Sequence, residues 1–114
     1  MDEGDRAMRT SKLGCLAVRS EREGAAHIIE LIGELDLDGA PQLEDALRDA
    51  EAGDATSIVV DLGRLEFIDS TGLRLLVMAA ERMNNGRFSL LRGPKQVHRI
   101  FEITDLVDRL PFAD

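Results

Sequence analysis

The stretch Ile68-Asp69-Ser70-Thr71-Gly72 holds the side chains best placed to do chemistry. A carboxylate, two hydroxyls and a glycine follow an apolar run. Asp, Ser and Thr are favoured helix N-caps, because a short side chain accepts the orphan amides of a first turn. Gly72 fits that plain reading less well. A glycine in a helix costs about 1 kcal/mol relative to alanine, and it serves where another surface must approach the backbone. A phosphate ester on Ser70 would sit against the positive end of a helix dipole. It would also set about two negative charges beside Asp69. Such a group is tolerated by the fold and disrupts a docked surface, which makes it a switch.

Other chemistries find little support. Cys15, His27 and His98 fall on three different elements without metal-ligand spacing. Neither G-x-x-x-x-G-K-[ST] nor G-x-G-x-x-G occurs. A nucleophile elbow needs G-x-S-x-G, which the frame around Ser70 does not supply. No motif ties Ser70 to either histidine, and we read both as ordinary surface or rim positions. We expect no catalytic residue, no metal, no cofactor and no enzyme.

Alternating elements must position that stretch. Residues 1–11 are polar and aperiodic and read as a flexible arm, leaving one domain over residues 12–114. Leu13 to Arg19 and His27 to Leu35 read as two strands joined through a glycine-bearing turn, an antiparallel hairpin. A helix begins near Ala40-Pro41 and carries Leu43, Ala46, Leu47 and Ala50 along one stripe. Ser57 to Leu62 reads as a central parallel strand buried on both faces. A loop then carries Phe67 and Ile68 inward, and a second helix starts at Asp69 or Ser70 with Leu73, Leu76, Ala80 and Met83 on one side. A strand over Arg87 to Arg92 and a third helix with Val97, Ile100 and Phe101 follow, with a break predicted near Ile103-Thr104-Asp105. The order is β-β-α-β-α-β-α. It predicts an α/β domain with a mostly parallel sheet and an antiparallel first strand.

Composition narrows the partners. The 114 residues include 22 acidic and 14 basic side chains, a net charge of −8. An acidic chain with four phenylalanines and no Trp or Tyr is a poor nucleic-acid binder. A single cysteine forms no internal disulfide. No apolar run approaches the roughly 18 residues of a membrane span, and the mixed-charge start is not that of a signal peptide. We expect a soluble cytoplasmic domain with no nucleic-acid or membrane partner.

The stretch DLGRLEFIDSTGLRLL resembles the signature of the anti-sigma factor antagonists, bacterial members of the STAS domain family. Gly33-Glu34-Leu35-Asp36, Gly93-Pro94 and Val97-His98-Arg99-Ile100-Phe101-Glu102 extend the resemblance from Leu13 to Leu110. It implies a domain that binds an anti-sigma factor, a small serine kinase of the histidine-kinase-like ATPase fold, and so frees a sigma factor. The kinase would phosphorylate Ser70 and weaken the complex, and a metal-dependent serine phosphatase would restore it. Asp69 would position the hydroxyl, Thr71 and Gly72 would shape the docking surface, and Asp36 would lie at the same end of the sheet. The resemblance also allows a scaffold or constitutive binder in a stress-signalling complex, or a small-ligand or nucleotide-binding STAS module. Only a remnant of a final strand is expected from Leu110-Pro111-Phe112-Ala113. The uncovered sheet edge would favour self-association, and we expect a monomer or weak dimer.

The acidity is local. Eleven acidic residues between Ser20 and Asp54 face only Arg22 and Arg48. Glu44, Asp45, Asp49 and Glu51 read as a solvated helix face. Glu34, Asp36 and Asp38 would border Ser70 and steer a basic partner surface toward it.

Overall fold

Six strands lie side by side in chain order, and the computed structural model describes residues 8–13 and 15–113 of them and their connections. The strands are β1 (Met8–Leu13), β2 (Leu16–Glu23), β3 (Ala26–Leu35), β4 (Ser57–Ile68), β5 (Phe88–Leu91) and β6 (Phe112–Ala113). The helices are α1 (Ala40–Ala52), α2 (Ser70–Arg82) and α3 (Lys95–Ile103), followed by a 3-10 turn at Val107–Arg109. The first two pairings are antiparallel and the remaining three parallel. The chain forms a single α/β domain of the predicted kind. β1 is an additional strand at one edge, and β6 is the short remnant expected at the other.

Register puts Leu16, Val18, Ile29, Leu31, Ile58, Val60, Phe88 and Leu90 on one side of the sheet. They pack with Leu43, Leu47 and Ala50 of α1, Leu73, Leu76 and Ala79 of α2, and Val97 and Phe101 of α3 in one core. The other side carries Ala17, Arg19, Ile28, Glu30, Val59 and Asp61, all only half-buried. β4 is therefore not buried on both faces, although its first half is nearly all apolar. Arg87 anchors the C-terminal end of α1, donating to the carbonyls of Glu51, Gly53 and Ala55 at 3.3, 3.1 and 3.0 Å. That end of α1 has no basic residue of its own, and Arg87 supplies the missing positive charge.

Several expectations are corrected. Residues 8–11, read as part of a flexible arm, belong to β1; residues 1–7 of that arm lie outside the described residues. Leu13 pairs with Leu16, so β1 and β2 meet as an antiparallel hairpin within the segment read as one strand. The polar sequence of β1 has little periodicity of its own, and its strand state comes from pairing with β2. Charged residues are also what an edge strand favours. Along α2, Ala79 is buried and Ala80 only half-buried. The break after α3 is where it was predicted: Asp105 takes a φ of 62°, which ends the helix.

The correction at β4 bears on the end of the sheet where α2 begins. β4 does not stop at Leu62 but runs to Ile68. Glu30 pairs with Asp61 and Ile32 with Arg64; Gly33 pairs with Leu65 and Glu34 with Phe67. Each of those two steps inserts one extra residue into β4, a β-bulge. Each extra residue turns the following side chains to the opposite face. The buried positions accordingly run Ile58, Val60, Leu62, then Leu65, then Ile68. The Asp61 carboxylate accepts the Gly63 amide at 2.8 Å within the first irregular segment. Phe67, expected to turn inward, points out and is 49% exposed.

Candidate functional site

The C-terminal ends of β3 and β4 meet at one hydrogen bond, in which the Asp69 amide donates to the Leu35 carbonyl at 3.1 Å. Asp69 is the N-cap of α2. Its backbone is extended, with φ −108° and ψ −175°, and its carboxylate accepts the Gly72 amide at 3.0 Å. Its carbonyl accepts the Leu73 amide at 3.0 Å, the first bond of the helix. A cap of this kind contributes about 1 kcal/mol. Ser70 follows as the first helical residue and is exposed. Its hydroxyl stands at the end of the helix where free amides concentrate partial positive charge.

Asp36 lies on the loop directly after β3. Its carbonyl accepts the amides of Gly39 and Ala40 at 3.1 and 2.9 Å, and its carboxylate accepts the Gly39 amide at 3.1 Å. It thus shapes the turn into α1, which has no side-chain cap at Gly39. The Leu35–Asp69 bond brings Asp36 and Asp69 to the same end of the sheet, with Glu34 and Asp38 alongside. Ligand sites on open α/β sheets gather at this end of the strands.

Gly72 is buried, not part of an open docking surface. A Cβ there would fall 2.7 Å from Leu35 Cγ and 3.0 Å from Ile68 Cγ1. The close surface is thus the protein's own strand end, and Gly72 lets α2 settle on it. Thr71 is half-buried beside it. Sequence reasoning saw the need for close approach but not that the neighbour is internal.

The histidines stand apart from Ser70. His27 lies eight residues before Leu35 on β3, about 26 Å along an extended chain. Burial, and then the Arg22 charge, hold its imidazole below the ordinary value of 6.5, against an opposing pull from Asp49. His98, read as a surface or rim position, is 7% exposed. Its ring packs edge-on to Phe112 at 5.0 Å and near Phe101 at 6.2 Å. The two-residue β6 supplies Phe112, so the aromatic cluster was hidden until that strand was placed. Cys15 is exposed and unpaired in any disulfide. Among the described residues, no three His, Cys, Asp or Glu side chains converge as metal ligands do.

A family model described as "Mlab, STAS domain" matches residues 18–111. The chain belongs to the STAS domain family. This STAS domain is similar to the anti-sigma-B factor antagonist of Staphylococcus aureus, with 30% identity over 95 residues, 82% of this chain and 88% of the relative. Among solved structures it resembles an anti-sigma factor antagonist from Mycobacterium paratuberculosis, with a TM-score of 0.78 and 26% identity, covering 85% and 84% of the two chains. The fold of the anti-sigma factor antagonist SpoIIAA in its unphosphorylated form is also alike, with a TM-score of 0.64, 24% identity and coverage of 95% and 89%. No helix of the described STAS domain is long and apolar enough to cross a membrane.

Two exposed apolar side chains at this end of the STAS domain were not legible in the sequence. Leu37 is 69% exposed on the loop after Asp36, and Phe67 is turned out by the second bulge of β4. The available signal was Gly33, whose φ of +101° lies at that bulge.

Proposed function

We propose that this STAS domain is an anti-sigma factor antagonist. It binds an anti-sigma factor that is a serine kinase, displaces the sigma factor held there, and is switched off by phosphorylation of Ser70. One observation carries the reading: an exposed serine stands first in α2, behind a capping aspartate, at the sheet end that Asp36 shares. The names of the relatives support it. The domain acts in the cytoplasm as substrate and competitor, not as catalyst, and a serine phosphatase resets it. Asp69 holds the first turn so that the Ser70 hydroxyl faces outward. Thr71 completes the contact surface, while Gly72 acts from beneath it.

The phosphate fits where it is proposed. At the first position of α2 it meets free backbone amides and the positive end of the helix, so the fold accepts it. On the surface it adds charge beside Asp69 and Asp36, and that charge must be desolvated when a partner docks. The test uses the purified anti-sigma factor kinase of the source organism with ATP. Intact-mass measurement is expected to show one added phosphate, mapped to Ser70 and absent from Ser70→Ala. A kinase that binds the chain yet leaves Ser70 unmodified would overturn the switch.

A further inference from the structure

We propose that Leu37 and Phe67 are the apolar anchors of the docking surface around Ser70. They seat in an apolar recess ringed by Lys and Arg on the anti-sigma factor, a partner that rests on the function proposed above. The second bulge of β4 is the starting point. Without that extra residue the alternation would place Phe67 inward. With it, β4 turns Ile68 into the core and leaves the larger Phe67 ring outside. Bulges that re-aim a side chain concentrate beside functional sites. Here the re-aimed ring stands two residues before Asp69 and opposite Glu34 in register. Leu37 stands immediately after Asp36. Two large apolar side chains thus flank the end of the sheet that carries Ser70, 69% and 49% exposed.

The charges around them point to the partner's chemistry. Five acids elsewhere pair within the chain: Glu30 with Arg19, Asp45 with Arg48, Glu51 with Arg82, Asp54 with Arg22 and Glu81 with Arg109. Among the described residues no Lys or Arg pairs with Glu34, Asp36, Asp38, Glu66 or Asp69. An apolar pair rimmed by unneutralised carboxylates is complementary to an apolar recess with a basic rim. A second copy of this chain would bring the same carboxylates against these, and like charges repel at a contact. The occupant is therefore a different, basic surface.

Calorimetry tests this with the purified anti-sigma factor of the source organism that binds the wild-type chain. Phe67→Ser and Leu37→Ser are each expected to weaken binding at least tenfold, the loss typical of apolar anchors at an interface centre. Their melting temperatures should stay at or above the wild-type value, since both side chains are exposed. Met78→Ser, equally apolar and exposed but two turns along α2, should change affinity less than twofold. Wild-type binding with unchanged affinity in both anchor variants overturns this inference and leaves the proposed function standing. Failure of every purified anti-sigma factor to bind the wild-type chain overturns both. A wild-type dimer that Phe67→Ser dissolves, seen by light scattering, assigns the patch to a second copy and overturns the inference.

Discussion

Ser70→Asp is expected to bind the anti-sigma factor at least ~30-fold more weakly than wild type, a change of about 2 kcal/mol, while the fold stays intact. The two halves of that expectation come from one geometry. At the first position of α2 an added carboxylate meets the positive end of the helix, worth about 0.3–1 kcal/mol in favour of folding. The same group sits on the exposed face of the site beside Asp69 and near Asp36. A kinase that phosphorylates Ser70 must hold the phosphates of its nucleotide against this hydroxyl. An anion on Ser70 then meets anions in a water-excluded contact, where like charges cost several kcal/mol. On the function proposed above, Glu34, Asp36 and Asp38 act differently: they draw in the partner's basic rim and do not meet the nucleotide. Calorimetry and thermal melting on the same sample check both halves. Equal affinity for Ser70→Asp and wild type would contradict the switch.

Gly33→Ala is expected to destabilise the fold by about 3 kcal/mol or more, the sum of a strained backbone and an overpacked contact. That lowers the melting temperature by roughly 10–20 °C in a domain of this size. Gly33 has a φ of +101°, a conformation that L side chains rarely adopt, and a Cβ there would fall 2.1 Å from the Cys15 carbonyl oxygen. That oxygen is fixed because it accepts the Glu34 amide at 3.0 Å. Gly24→Ala is the comparison, since Gly24 also has a positive φ, +60°, but meets nothing within 4 Å. It should cost only about 1 kcal/mol. Equal melting temperatures for the two variants would contradict the packing argument.

Most of the framework could be read from local patterns. Leu43, Leu47 and Ala50 at helical spacing gave the buried stripe of α1, and Ile58, Val60 and Leu62 gave the inward face of β4. The N-cap rule located the start of α2 to one residue, and the resemblance to the anti-sigma factor antagonists put Asp36 at the same end of the sheet as Asp69. What could not be read depends on neighbours distant in sequence. β1 is polar, and its strand state comes from β2. Phe67 faces outward because β4 pairs with a β3 that is two residues shorter over the same span, which leaves no trace in the alternation of β4 alone. His98 is buried by a phenylalanine fourteen residues later, on a strand of two residues. Gly72 looked like an opening for a partner, but the approaching surface is Leu35, thirty-seven residues earlier in the chain.

The central claim is that the unmodified domain frees a sigma factor by occupying its inhibitor. The most direct measurement follows a preformed complex of sigma factor and anti-sigma factor, with the sigma factor fluorescently labelled, as the purified domain is titrated in. The unphosphorylated chain is expected to release the sigma factor to completion, and the chain phosphorylated on Ser70 to release none over the same range. Retention of the sigma factor at saturating unphosphorylated domain, or equal release by both forms, would contradict the account.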